Sequence, residues 1–437
     1  MRETLEKLFL RTLEAIALER VMPRKVSCSG GVLTLGTERI ELGAFDELVV
    51  VALGKAAFPM VEILAGMLPS RPLSGVATGV LSTRNSSASV FEGLACFDGG
   101  HPYPNHDSFA SADAALEALR GAGSSDLVLY LLSGGGSSMC ERPICPQISR
   151  RDCTRLYELL VTCGLTVLEI NFIRKHLSAI KGGRMSQAAY PARQVTLFVS
   201  DVPPGSPSNV ASGPTMPDDS SVDDCVEIIR RAGLMERLPV SIRDLFAQGR
   251  VPETPKRGAQ VFRASSWHCL LTPEDAATTL ADSVQMQGWH LVTDLSVEDD
   301  WSLERVTDHL LAKLRTLQSE HPGEIVAVVS GGEYSCPVLG DGAGGRNQAF
   351  VLECVPKIAG KNLAVLSAGT DGIDGNSPAA GAVADGTSLE RALAAGLDPA
   401  ETARRSDSHI FFDQLGDTVL TGPTGNNVRD LRLLVAW

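Results

Sequence analysis

Aromatic residues are scarce in this chain, at 5% of the total, and no two of its ten cysteines stand at C-x-x-C spacing. The thiols, at positions 28, 96, 140, 145, 153, 163, 225, 269, 336 and 354, are scattered, and His101 and His106 complete no zinc pattern. A disulfide-stapled scaffold is excluded, and a reducing compartment is expected. Positive charge is also short. The 39 Lys and Arg face 52 Asp and Glu, for a net charge of −13. Binding nucleic acid needs a basic footprint, so no nucleic-acid partner is expected. No apolar run approaches the ~18–20 residues of a membrane span. Leu5, Leu8, Phe9, Leu13 and Ile16 recur at helical spacing, but Glu3, Glu6, Glu14 and Glu19 accompany them, unlike a secretory leader. A cytoplasmic protein with no membrane partner is the expectation.

What is present is an alternation of short apolar runs and longer amphipathic stretches. The 437 residues predict two to four domains. Runs at 47–53, 75–81, 126–132 and 195–199 read as buried strands, and 149–168 as a helix with Ser149 as N-cap. Near-continuous apolar strands followed by helices predict α/β architecture with a parallel sheet covered on both faces. Residues 249–258, polar with two prolines, read as a linker. The alternation then restarts, with strands at 261–264, 290–295, 325–329 and 363–366. The expected plan is an N-terminal Rossmann-like domain over 1–248, the linker, and a smaller mixed α/β domain over 259–437. A ligand cleft is expected between them.

Several strands end in small, polar or charged residues: Gly54-Lys55, the Ser133 to Ser138 loop (SGGGSS), Ser200-Asp201, the Ser330 to Glu333 loop (SGGE), and the loop from Ala368 to Asp374. Glycine lets backbone N–H groups approach an anion closely, and a following helix adds its positive end. Each loop alone also fits ordinary turn chemistry. Cations gather at 171–184, where Arg174, Lys175, His176, Lys181 and Arg184 occur without an acid. The cluster reads either as a clamp for a carboxylate or polyphosphate or as a solvated helix face. Lys55 reads as a strand-end lysine facing a ligand or as a snorkelling one. Arg346 reads as a bidentate anion partner or as a cap on a carbonyl. Asp201, Glu333, Asp371, Asp374 and Asp385 lie in or near strand-end loops, the usual setting for Mg²⁺ held with phosphates and water. Residues 340–345 formally match G-x-G-x-x-G, but the strand before them is weak.

These motifs resemble the class II glycerate kinases, the glycerate 2-kinase family. Gly54-Lys55-Ala56, Gly99-Gly100-His101-Pro102, the 133–138 loop, Arg174-Lys175-His176, Ile180-Lys181-Gly182-Gly183, Ser200-Asp201-Val202 and Ser212-Gly213-Pro214-Thr215 look like its N-terminal DUF4147 domain. Ser330-Gly331-Gly332-Glu333, Gly344-Gly345-Arg346-Asn347-Gln348, Gly369-Thr370-Asp371-Gly372 and residues 421–425 with Asn427 and Asp430 look like its C-terminal MOFRL domain. The motifs cover most of the chain. One departure is Ala349, where the family usually has an acid. The resemblance implies ATP-dependent, Mg²⁺-assisted phosphorylation of D-glycerate at its 2-hydroxyl, giving 2-phosphoglycerate and ADP. It leaves room for a homo-oligomer. Relatives labelled hydroxypyruvate reductase make an NAD(P)H-dependent reductase the alternative.

By motif, the family's essential lysine and arginine fall on Lys55 and Arg346, and Asp201 is the expected metal ligand or base. Gly54, Ser133, Gly134, Gly135, Gly136, Ser137, Ser138, Arg174, Lys175, His176, Lys181, Gly331, Gly332, Asn347, Gly369 and Thr370 are expected to bind substrate or nucleotide. Asp201, Glu333 and Asp371 are the candidate metal ligands.

Overall fold

The computed structural model describes residues 1–68, 72–80, 91–203 and 205–437. Leu81, which closes one expected strand, and Pro204, in the loop after Asp201, lie outside the described residues. The chain forms two α/β units. One is Val21–Leu270, and the other joins Met1–Arg20 to Leu271–Trp437. Among the described residues no helix is long and apolar enough to cross a membrane.

The Val21–Leu270 unit opens with a small antiparallel meander of β1 (Val26–Ser29), β2 (Val32–Leu35) and β3 (Glu38–Glu41). Its main sheet contains β4 (Leu48–Leu53), β5 (Ser74–Gly79), β6 (Leu94–Asp98), β7 (Leu127–Leu132), β8 (Arg193–Val199) and β9 (Ser265–Leu271), in the order β6-β5-β4-β7-β8-β9. Pairings from β6 through β8 are parallel. Every residue of β4 and β7 is buried, as continuous apolar strands in a sheet covered on both faces require. The chain runs outward from β4 through β5 to β6, then returns to place β7 on the other side of β4. The strand order thus reverses at β4 and β7, and the loops leaving their carboxyl ends start side by side.

The second unit has β10 (His290–Asp294), β11 (Val326–Gly331), β12 (Leu363–Gly369), β13 (Gly381–Asp385), β14 (Thr418–Val419) and β15 (Asp430–Ala436), in the order β10-β11-β15-β12-β13-β14. The last strand, β15, lies antiparallel between β11 and β12. Asp430 is opposite Gly369, and Leu431 is opposite Gly331. The carboxyl ends of β11 and β12 and the amino end of β15 thus meet at one edge of the sheet.

The boundaries differ from those read in the sequence. Helix Arg2–Ala15 buries Leu5, Leu8, Phe9 and Thr12 and packs on helix Pro273–Gln285 and on β12 and β13. Arg2 Nε lies 3.0 Å from Asp385, and Asn426 Nδ2 donates to the Ile16 carbonyl at 2.9 Å. An amphipathic pattern states that a face is buried, not which segment buries it. Residues 249–258 lie within the Val21–Leu270 unit and are tied down there. Thr254 is buried and donates to Asp218 Oδ2 at 2.9 Å, and Arg184 donates to the carbonyls of Pro252 and Glu253. The strand expected at 261–264 begins instead at Ser265, after a 3-10 turn over Gln260–Phe262.

Candidate active site

In the Val21–Leu270 unit the turn after β4 is stitched to the loop after β7. Ser133 N–H donates to the Leu53 carbonyl (2.9 Å), Lys55 N–H to the Gly134 carbonyl (2.9 Å), and Ala56 N–H to Ser133 Oγ (3.0 Å). This approach demands glycine at 54. Its φ is +114°, and a Cβ there would stand 2.4 Å from the Ser133 carbonyl oxygen. Gly135, at φ +82°, lies beneath the Lys55 side chain, since a Cβ would come within 3.3 Å of both Lys55 Cγ and the His101 ring. Among the described residues, the N–H groups of Gly134 and Gly135 donate to no protein acceptor. A lysine over a glycine turn with two such N–H groups has the chemistry that an anion nest requires.

Beyond this turn, Ser137 Oγ is 2.7 Å from Ser212 Oγ, and Ser212 Oγ donates to Asn171 Oδ1 at 2.8 Å. Ala211 and Ser212 hold left-handed backbone angles, φ 49° and 60°, a strain that clusters at binding sites. Asp201, just past β8, is partly buried. His101, Asn171 and Ser212 were not among the binding residues read from the sequence. Two of them lay in quoted motifs, His101 in Gly-Gly-His-Pro and Ser212 in Ser-Gly-Pro-Thr; Asn171 carried no local signal.

The cation cluster separates. Lys175, His176 and Lys181 are buried and matched internally. Lys175 Nζ is 3.0 Å from Asp218, Lys181 Nζ is 2.7 Å from Glu141, and His176 lies between the Phe172 carbonyl and Glu253. Lys175 and Lys181 form neither an anion clamp nor a solvated face, because their charges are neutralised inside the unit. Arg174 is partly buried, with its guanidinium 4.1 Å above the Tyr157 ring.

In the second unit, charged side chains converge where β11, β12 and β15 meet. Arg346, the first residue of helix Arg346–Ile358, places Nε 2.5 Å from Asp430 Oδ2 and Nη2 2.6 Å from Glu333 Oε1. Arg429 pairs with Asp299, and the buried Arg432 lies 3.8 Å from Asp430. Burial pushes the Glu333 carboxyl up, and Arg346 only partly offsets it. Burial opposes charge on Asp430 too, but Arg346 and Arg432 hold it below its ordinary value. Against desolvation, Asp430 and Glu333 raise the Arg346 guanidinium, which stays charged.

Helix Arg346–Ile358 does not offer its amino end to a ligand. Asp374 accepts from Asn347 N–H at 3.0 Å and Gln348 N–H at 2.8 Å, and a Cβ at Gly345 would stand 2.3 Å from Asp374 Oδ1. The chain's own carboxylate fills the anion position that a helix amino terminus provides. Asn347 is buried, bonding Asp430 at 2.9 Å and Ser367 at 2.6 Å. Buried Thr370 is a strut, donating to the Arg429 carbonyl and accepting from Val428 N–H. Gly331 and Gly369 are strand residues; Gly332, at φ +96°, turns the chain toward Glu333. Glu333 Oε1 is taken by Arg346. The partly buried carboxylates Asp201 and Asp371 fit Mg²⁺ in chemistry.

The glycine run at 340–345 is also taken up internally. Gly342 N–H donates to the Arg405 carbonyl at 3.0 Å, and added Cβ atoms at Gly340, Gly342 and Gly344 would strike Arg405, Asp407 and Ser408.

The family described as a domain of unknown function, DUF4147, matches residues 4–247, and the MOFRL family matches 326–430. The D-glycerate 2-kinase of Thermotoga maritima is 32% identical, over 88% of this chain and 90% of its own length. The chain belongs to the glycerate 2-kinase family. Another relative, named a putative hydroxypyruvate reductase of Agrobacterium vitis, is 36% identical over 89% of this chain and 86% of its own. The crystal structure titled glycerate kinase from Thermotoga maritima superposes with a TM-score of 0.81 at 27% identity, covering 100% of this chain and 99% of that one. The glycerate 2-kinase motifs at Lys55 and at 133–138 fall within the DUF4147 match, and Arg346 falls within the MOFRL match.

Proposed function

We propose that this enzyme transfers the γ-phosphoryl group of ATP to the 2-hydroxyl of D-glycerate in the cytoplasm, giving 2-phosphoglycerate and ADP. The observation that carries the reading is the stitched turn of Gly54-Lys55 and Ser133–Gly135. Phosphoryl transfer asks little covalent chemistry of a protein and much placement of charge. Gly134 and Gly135 N–H groups bind a phosphoryl oxygen, and the Lys55 ammonium stabilises charge on the group in flight. Arg346, held by two carboxylates with 35% of its side chain exposed, is a fixed cation suited to a carboxylate or phosphate.

Glycerate's O2 forms the new bond to phosphorus as the bond to the ADP oxygen breaks. Asp201 either accepts the departing hydroxyl proton or holds the metal. Bound Mg²⁺ would neutralise phosphate charge, with Asp201 as a protein ligand in the Val21–Leu270 unit. The reductase alternative has its support in the name carried by the Agrobacterium relative. A dinucleotide site needs glycines open to a pyrophosphate, and the 340–345 glycines are packed against Arg405, Asp407 and Ser408.

One pair of assays tests the reading. The protein is incubated with D-glycerate, ATP and Mg²⁺ while ADP is followed; in parallel, NADH loss is followed with hydroxypyruvate. ADP formation dependent on glycerate is expected, and Lys55→Ala should lower kcat by about 10²–10³. NADH oxidation without ADP formation would overturn the kinase reading.

A further inference from the structure

We infer that His290, His321 and Glu324 form a binding site for a divalent transition-metal ion of the zinc type, separate from the loops described above. Two imidazoles and one carboxylate bring ligand atoms within 4.8 Å of one another. The His290 and His321 rings stack, with centroids 3.9 Å apart and planes 18° from parallel. His290 Nε2 is hydrogen-bonded to Glu324.

The backbone holds the three in place. His290 opens β10, pairs in register with Val326 and donates its N–H to the Ile325 carbonyl at 3.0 Å. His321 ends helix Leu303–Glu320 and donates to the Leu317 carbonyl at 3.1 Å, while Glu324 N–H closes the turn onto the His321 carbonyl at 3.2 Å. Only side-chain rotation is left to close the set. Tetrahedral Zn²⁺, with bonds of about 2.0–2.1 Å, holds its ligand atoms about 3.3 Å apart. The His290 and Glu324 side chains, 41% and 56% exposed, have room for that movement.

The donor chemistry selects the ion. Imidazole nitrogen suits Zn²⁺, Cu²⁺ and Ni²⁺ over Mg²⁺ or Ca²⁺, which prefer all-oxygen sets. Three protein ligands leave a fourth position for water. The metal would tie the start of β10 to the turn leading into β11.

The test is calorimetric titration of the intact chain with Zn²⁺ at about pH 7.5, beside the H290Q, H321Q and E324Q variants and the H290Q/H321Q double variant. The wild type is expected to bind one more Zn²⁺ than the double variant. Each single variant should weaken that step by at least about tenfold, and added Zn²⁺ should raise the melting temperature of the wild type more than that of the double variant. Cu²⁺ as a second probe should give an electron paramagnetic resonance signal split by two imidazole nitrogens, absent from the double variant. These ligands are on the surface, so the variants should fold, which circular dichroism checks. A folded double variant that binds Zn²⁺ with wild-type stoichiometry and affinity overturns the site.

Discussion

Asp430 holds Arg346 in place, with Nε donating to Oδ2 at 2.5 Å while Glu333 takes Nη2 at 2.6 Å. A lysine carries a point charge on a flexible stem and lacks the rigid planar fork that meets the two carboxylates here through separate nitrogens. Arg346→Lys should therefore lose nearly as much kcat in the glycerate assay as Arg346→Ala. Full rescue by lysine would show that charge alone matters.

Asp374 should make stability depend on pH. Burial pushes its carboxyl up from the ordinary 3.8 to about 6, despite the hydrogen bonds from Gln348 and Asn347. The folded chain thus binds a proton that the unfolded chain has released between those values. The resulting stability is fully present below about pH 4 and lost as the pH rises through about 6. Asp374→Asn should flatten that part of a urea-stability profile. Asp374→Ala, which strips the acceptor from two helix N–H groups, should cost about 1–3 kcal/mol. A D374N profile with the wild-type slope would contradict the assignment.

Gly135→Val should abolish ligand binding and leave the fold intact. Its φ of +82° disfavours any branched side chain, and the added atoms would press on Lys55 and His101. Calorimetry with ATP and with glycerate, on a variant of wild-type circular dichroism, reads the effect. Unchanged affinity for both ligands would return the loop to plain turn chemistry.

Lys175 should matter to stability and not to turnover. Removing it leaves Asp218 buried without its cation, and Lys175→Met should cost about 3–5 kcal/mol. The K175M/D218L double variant should recover part of that loss. Activity per folded molecule should stay near wild type in both, and a selective fall in kcat would show that Lys175 serves the reaction after all.

Much of the fold was legible because strands such as β4 and β7 are apolar at every position, which only a doubly covered sheet explains. The positions of Lys55 and the 133–138 loop were legible for a related reason: residues directly after such strands stand at the carboxyl end of the sheet. The cations at 174–184 misled because a sequence displays charges without their partners. Lys175 meets Asp218 and Lys181 meets Glu141 across some forty residues of chain. Arg346 carried a family motif, yet its clasp by Glu333 and Asp430 depends on β15 threading between β11 and β12, and no local pattern announces that order.

The helix Arg2–Ala15 belongs with Leu271–Trp437, though some 250 residues separate them. During synthesis this helix leaves the ribosome some 250 residues ahead of the segment it joins, and its apolar stripe waits for it. The Val21–Leu270 unit is contiguous and has its strands in hand long before. A fragment cut at residue 259 would carry β9, an edge strand of the other sheet, and lack the helix that covers β12 and β13. Dissecting this protein would call for a permuted gene, with the codons for residues 1–20 moved behind those for 271–437.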